Sequence, residues 1–351
     1  MIRKRNLYII LSIILTFGGF SVFLIMTGFN PDDVLALNIN NNQVNLPEAG
    51  QTITLLTYNI GHGGLDAQWD SYHAGGSNTR AKSKNQVEEN LEEVVKKIDD
   101  INPDIFLLQE IDTDSKRSYS IDQVGFFNHK YPNYSYIYAK YKDIRWLPFP
   151  ITRPVGKLQT GLATFSKYNT LESHRYSLPS NGNALANIYE SKWAITKTIY
   201  ETDLTGDLVV INVKLSPYNE GDFIREEQLQ FLKSQLEEEY NSGNYVVVGG
   251  DYSHNMPGAD THSFRYSEEW PTWLKNIPDD YEIDNYYWHI DENTPSFRSL
   301  FDLYHRGKTF VAVTDGFLVS DNIEVEDVET LDDNFQNSNH NPVSIKLKLI
   351  P

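Results

Sequence analysis

Apolar residues along this chain fall into short blocks with two spacings. Residues 52–59 (TITLLTYN) alternate and are rich in β-branched side chains, which predicts a strand. Residues 86–100 place Val87, Leu91, Val94, Val95 and Ile98 on one face at helical spacing, and Asn102-Pro103 stops that helix. Residues 104–110 (DIFLLQE) then read as a buried strand ending in an acid. Strands are also predicted over 161–167, 171–177, 192–200 and 207–213, adjacent and hairpin-like, and a helix over 222–240 with Ile224, Phe231, Leu232 and Leu236 inward. Residues 245–248 (YVVV) form a wholly apolar strand that breaks at Gly249-Gly250 and sets Asp251 at its end. The last strands fall at 310–319 and 342–349.

Two stretches resist this scheme. Residues 112–157 are the least regular and hold many aromatics, which predicts loop and edge-strand packing. The alternative is a wall facing substrate or a bilayer, where Tyr and Trp are at home. After Tyr252 an aromatic and acidic insertion runs to residue 298. Strand–helix–strand units mixed with hairpins predict one α/β domain with antiparallel or mixed sheets over residues 51–351.

The N-terminal part has a different character. Arg3, Lys4 and Arg5 precede 23 uncharged residues, 7–29. A run of about 20 apolar residues spans a bilayer. Residues 1–30 are therefore expected to form a cytoplasmic basic tip and one uncleaved transmembrane helix, with everything from Asn30 outside the cytoplasm. The Asn-rich residues 31–50 read as a polar spacer.

Composition narrows the chemistry. The net charge of −18 argues against nucleic acid as the ligand, because a protein that holds phosphate backbones needs a basic face. Cysteine is absent, which excludes disulfides, thiolate nucleophiles and cysteine zinc sites. Apolar residues, at 40%, suffice for a large core.

Five polar strand ends remain: Asn59 in TYNIG, Glu110 in LLQEID, Asp251 in GGDYSHN, Asp315 in VTDGFLVS, and Asn339-His340 in NSNHNPV. Any one of them can be a turn former. Five together point to a pocket at strand tips. In order and spacing these motifs resemble the endonuclease/exonuclease/phosphatase superfamily, which includes DNase I-like nucleases, neutral sphingomyelinases and inositol polyphosphate 5-phosphatases. DTDSKRSY, RAKSKNQV and GGDYSHNMPG further resemble membrane-anchored members from low-GC Gram-positive bacteria.

The resemblance implies a four-layer sandwich of two mixed β-sheets flanked by helices. It also implies phosphoester hydrolysis with a divalent cation, Mg²⁺ or Mn²⁺, held by oxygen ligands. Glu110 would be the main metal ligand, with Asn59 and Asp251 beside it. Asp251 would orient or deprotonate the attacking water. His340 would contact the phosphoryl oxygen or orient water, and Asp315 would support a histidine or the metal. Arg117, His254 and Asn255 would bind substrate, a phosphoester small molecule or lipid head group.

Three positions depart from the family pattern. INVKLS puts Lys214 where the family has a histidine, GDYS puts Ser253 where it has an asparagine, and SNH puts Asn339 where it has an aspartate. Lysine keeps a charge but is a poor proton shuttle at neutral pH. Ser253 reaches less far, so His254 or Asn255 would have to substitute. Asn339 removes a negative charge beside His340. Impaired hydrolysis is therefore expected. The alternatives are a catalytically silent pseudoenzyme that binds a phosphorylated ligand or a protein partner, and an unrelated surface domain with acidic loops.

Overall fold

The computed structural model describes residues 6–12, 14–16, 18–19, 28–180, 189–217 and 223–351. Its strands run, in chain order, β1 (Val34–Ala36), β2 (Ile53–Asn59), β3 (Ile105–Asp112), β4 (Ser135–Leu147), β5 (Gly156–Ser166), β6 (Thr170–Ser177), β7 (Ala194–Tyr200), β8 (Leu208–Lys214), β9 (Tyr245–Asp251), β10 (Tyr286–His289), β11 (Phe297–Arg298), β12 (Val311–Ala312), β13 (Asp315–Ser320), β14 (Ile323–Thr330) and β15 (Val343–Leu349). One sheet has the order β1-β6-β7-β8-β9-β13-β10 and the other β14-β15-β2-β3-β5-β4.

Each sheet contains one parallel pair, β8 with β9 and β2 with β3; the remaining pairings are antiparallel. A helix makes the crossover in both cases, because parallel neighbours cannot be joined by a tight turn. Lys84–Ile101 links β2 to β3, and Phe223–Asn241 links β8 to β9.

Strand alternation builds four layers. Ile53, Leu55, Ile105 and Leu107 meet Leu208, Val210, Val247 and Phe317 between the sheets. The alternate residues Leu56, Tyr58, Phe106 and Leu108 turn outward onto Val87, Leu91, Val94 and Ile98 of the first crossover helix. Val209, Ile211, Val246 and Val248 do the same with Leu229, Leu232 and Leu236 of the second. This is the predicted two-sheet α/β architecture.

Local signals explain several shifts from the expected boundaries. The first helix begins at Lys84 rather than 86, because the Ser83 side chain caps the Gln86 amide at 3.1 Å. The strand expected at 310–319 is split between β12, which pairs with β11, and β13 in the large sheet. Residues 112–157 hold a helix, Gln123–Lys130, and the 13-residue β4. In β4, Ser135, Ile137, Ala139 and Tyr141 are buried, while tyrosines occupy the other face as well and hide the alternation.

The spacer expected over 31–50 is ordered chain docked on the domain. β1 pairs with β6, and bridges join Asn40 to Tyr136 and Asn45 to Tyr168. Asn42 Nδ2 donates to the Thr170 carbonyl at 2.9 Å, and its Oδ1 accepts from the Thr170 amide at 2.9 Å. The asparagines that suggested a solvated linker instead serve strand-edge backbone groups. Among the described residues no helix is long and apolar enough to cross a membrane. The anchor expected over 7–29 includes residues 13, 17 and 20–27, which lie outside the described ones.

Gly249-Gly250 lets the backbone of β9 lie close to its neighbours. A Cβ on Gly250 would sit 2.1 Å from the Val213 carbonyl oxygen, and one on Gly249 would sit 2.6 Å from the Phe317 ring. Gly250→Ala should therefore lower stability by at least about 1–3 kcal/mol in urea unfolding. An unchanged midpoint would show that the β8–β9 spacing is not set by this glycine.

Candidate active site

Both parallel pairs end on the same side, and their carboxyl ends supply the site. Asn59 closes β2, Lys214 closes β8 and Asp251 closes β9. Lys214 lies opposite Asp251 in the β8–β9 register, and Asp315, the first residue of β13, lies opposite Asp251 on the other side. Glu110 comes from a bulge in β3, where the register with β5 shifts between Leu108 and Ile111. Its φ of 54° is a left-handed conformation that few non-glycine residues adopt. A bulge re-aims a side chain, and the Glu110 carboxylate reaches the cleft with 20% exposure. His62 and Ser253 share the unusual backbone, with φ of 48° and 52°. Three such residues in one place mark a site whose surroundings hold them against local preference.

The side chains converge on Asp251, which is 1% exposed. Its Oδ2 accepts from the Lys214 ammonium and from Asn59 Nδ2 at 2.9 Å, and lies 3.5 Å from His340 Nε2. Its Oδ1 accepts from the Ser253 amide at 2.7 Å. Asn59 Nδ2 also reaches Glu110 Oε1 at 3.2 Å, and the Lys214 ammonium stands 3.8 Å from that same oxygen. Glu110 and Asp251 thus face a common centre. The His340 ring is held at its other nitrogen by Asp315 Oδ2 at 2.8 Å, which also accepts from Ser296 and Thr314 hydroxyls at 2.8 and 2.9 Å.

Charge states follow from these partners. Burial pushes the Asp251 carboxyl up, but Lys214 and His340 outweigh it and hold it below its ordinary value. Burial likewise opposes ionisation of Glu110; His62, Lys214 and Arg117 override it and keep the group ionised. Burial depresses the His340 imidazole, yet Asp315 and then Asp251 raise it above its usual value. Burial raises Asp315, with His340 opposing. The Lys214 ammonium is disfavoured by burial and stabilised more strongly by Asp251 and Glu110.

Several expected roles change. Asn339 does not govern the charge of His340, since Asp315 and Asp251 are the carboxylates that touch the ring. The Asn339 side-chain oxygen is buried without a hydrogen-bond partner. His254 does not replace the missing asparagine. Its Nδ1 meets the Tyr252 carbonyl at 2.7 Å, its Nε2 accepts from Arg225 at 3.1 Å, and burial with Arg225 pushes it down to about 3. It is a neutral structural histidine. Asn255 is equally engaged, with Asn276, Ala259 and Thr261 at 3.1, 3.3 and 2.8 Å. Arg117 is clamped by Asp112 through two hydrogen bonds of 3.0 and 2.9 Å, so it supports the site from behind Glu110.

Two residues escaped the sequence reading. His62 is buried, its Nδ1 lies 3.9 Å from Glu110 Oε2, and neither ring nitrogen has a hydrogen-bond partner. Burial and Arg117 keep it neutral. The signal was present in Gly61-His62-Gly63-Gly64, which reads as a turn until Glu110 is placed beside it. Lys142 lies on β4, where burial and then Arg117 push its ammonium down to about 8, with Glu110 opposing. The aromatic run around it concealed a strand, and with it this cation.

These residues fit a divalent cation on the Glu110 side. The carboxylate there is ionised and partly open, and the orphaned His62 nitrogen borders it. Asn59 turns its NH₂ to the carboxylates and its Oδ1 to the Gly61 amide at 3.0 Å, so as placed it orients Glu110 rather than offering an oxygen. Asp251, Asp315 and His340 form a second group whose donor atoms lie within 4.8 Å of one another, chemically able to hold a metal. There Asp315 Oδ2 holds the His340 ring and both Asp251 oxygens are engaged, while Asp315 Oδ1 is buried with no hydrogen-bond partner among the described residues.

Asp315→Asn should lower the midpoint at which the His340 ring titrates by NMR. The direction follows because Asp315 is the first carboxylate that favours the charged imidazole, and by linkage the loss carries a stability cost. A folded value raised above the unfolded one adds stability that is complete below the unfolded value of about 6.5 and is lost as pH rises through the folded value. An unmoved midpoint would remove Asp315 as the source.

The sequence matches the family model described as Endonuclease/Exonuclease/phosphatase family over residues 56–335. No curated protein matches it. Among solved structures it is similar to an endonuclease/exonuclease/phosphatase from Beutenbergia cavernae DSM 12333, at 14% identity and TM-score 0.52, covering 86% of this chain and 72% of that one. It is similar to D. rerio TDP2 complexed with single-strand DNA product, at 10% identity and TM-score 0.51, covering 85% and 99%. It is also similar to the human Nocturnin catalytic domain with bound sulfate anion, at 14% identity and TM-score 0.52, covering 89% and 97%. At these identities the structures speak for the fold, and the family match spans most of the chain. The chain belongs to the endonuclease/exonuclease/phosphatase family.

Proposed function

We propose that this chain is a divalent-metal-dependent phosphoester hydrolase, tethered to a membrane and acting outside the cytoplasm on a small phosphoester or a lipid head group. The observation that carries this reading is the pairing of Lys214 and His340 with Asp251, beside a partly open, ionised Glu110. In a chain of net charge −18, a buried lysine ammonium at a cleft, beside an imidazole whose affinity for a proton is raised, fits an anionic reacting group. D. rerio TDP2 was crystallised with a DNA product. The acidity of this chain favours smaller phosphoesters instead. Twenty-three uncharged residues after Arg3, Lys4 and Arg5 support the tether.

Glu110, with His62 beside it, would hold the cation, which supplies charge neutralisation and polarises a phosphoryl oxygen. Lys214, with one N–H beyond those given to Asp251 and Ser253, and His340 beside it would face the oxygens that gain charge as the leaving group departs. Asp251 favours the charged form of Lys214 and, after Asp315, that of His340, and Asp315 fixes the ring of His340. Impaired turnover is part of the reading for one reason: both oxygens of Asp251 are already engaged, which weakens it as a base toward water. The same observation favours the second reading, a silent domain that binds a phosphorylated ligand or a protein partner without cleaving it.

Two measurements separate these. The full-length protein in detergent should release product from a panel of phosphodiesters and phospholipid head groups with Mg²⁺ or Mn²⁺. Glu110→Gln should lower the rate by about 10²–10³-fold, as removal of a preorganised electrostatic group does. Saturable binding of panel members without turnover would establish the silent domain. Fractionation should place the chain with membranes, released into the soluble fraction when residues 1–30 are removed; a full-length protein found soluble would rule out the tether.

A further inference from the structure

Lys214 is the last residue of β8 and is in register with Asp251 at the end of β9. Its side chain is 6% exposed. The ammonium is ion-paired with Asp251 Oδ2, lies 3.1 Å from Ser253 Oγ and 3.8 Å from Glu110 Oε1. Of its three donors, one is given to Asp251 Oδ2 and one to Ser253 Oγ, and Glu110 Oε1 is an ion-pair neighbour beyond hydrogen-bond distance. The group sits between the two carboxylates, where it neutralises both.

Ser253 is the complement of this lysine. Its Oγ donates to the Leu215 carbonyl at 2.9 Å, and it is 2% exposed. The serine is fixed with its hydroxyl against the ammonium, so a bulkier side chain at 253 would compete with Lys214 for this space. The two family departures fit each other: the long residue at 214 uses the room that the short residue at 253 leaves.

We infer that Lys214 is a resident cation that occupies the Asp251 side of the site, with Ser253 making its room, so that a divalent ion enters only on the Glu110 side. This rests on the metal-dependent reading of the site and specifies its metal stoichiometry. The Lys214 ammonium is paired with Asp251 Oδ2, whereas Glu110 is 20% exposed and holds the ammonium only at 3.8 Å. A second divalent ion would have to displace the ammonium or meet its charge at contact distance, where like charges repel strongly.

The test reads metal binding with no substrate present. Mn²⁺ binding to the full-length protein in detergent is followed by electron paramagnetic resonance. The wild type should bind one ion. The double variant Lys214→His, Ser253→Asn should bind Mn²⁺ at least about ten-fold tighter or take up a second ion. Equal affinity and equal stoichiometry in the two proteins overturn the inference.

Because the double variant could fold poorly, the wild type is also followed by ¹⁵N NMR of its lysine side chains during Mg²⁺ titration. The Lys214 ammonium signal should persist, protected from exchange, at saturating Mg²⁺. Its disappearance into solvent exchange overturns the inference even when no variant folds. Failure of both proteins to bind either metal sinks the metal-dependent reading and this inference with it. Binding as expected without turnover sinks the hydrolase reading alone.

Discussion

Asp251 is a charged group with almost no access to water, and the rest of the site exists to make that tolerable. A carboxylate buried without partners is so unfavourable that it would protonate or the fold would open. Here it takes an ammonium and an amide on one oxygen, with an imidazole alongside, and a backbone N–H on the other. Those partners come from β2, β8, the turn after β9 and the segment before β15. One buried charge therefore ties the ends of both sheets together. The Gly249-Gly250 step is what lets β9 deliver it, since no other residue type fits so close to Val213 and Phe317.

A second polar tie lies one step deeper. Gln109 Nε2 reaches Thr57 at 3.0 Å within its own sheet and Asn212 Oδ1 at 2.8 Å in the other. Asn212 in turn donates to the carbonyls of Leu108 and Ala163 at 3.3 and 3.1 Å. A buried polar network of this kind fixes the relative position of its elements, although Gln109 Oε1 itself has no hydrogen-bond partner among the described residues. It explains how Glu110 from one sheet and Lys214 from the other meet within 3.8 Å.

The strand tips were legible because each follows an apolar run with a polar residue, and the two sheets stack those tips on one side. Asn59, Glu110, Asp251, Asp315 and His340 could be named from that pattern. What pattern did not convey was partnership. Asn339 looked decisive as the neighbour of His340 in sequence, yet the ring turns to Asp315, 25 residues earlier. His254 and Asn255 looked available, but His254 is held by Arg225 of the second crossover helix and the Tyr252 carbonyl, and Asn255 by Asn276, Ala259 and Thr261. His62 and Lys142 were hidden for opposite reasons, one in a glycine turn and the other in a strand with tyrosines on both faces. The docked segment at 34–45 was missed because asparagine marks solvated linkers and strand-edge partners equally well. Departures from a family motif thus have to be read in pairs: Lys214 with Ser253 is a coherent exchange, which neither residue reveals alone.

The account stands on Glu110 and Asp251 sharing one centre, with the lysine ammonium seated between them. Anomalous diffraction from a crystal soaked in Mn²⁺ tests this most directly. The account predicts one metal peak within bonding distance of Glu110, with the Lys214 ammonium still on Asp251. A peak bonded to Asp251 with the lysine displaced, or the two carboxylates in separate pockets, would contradict it.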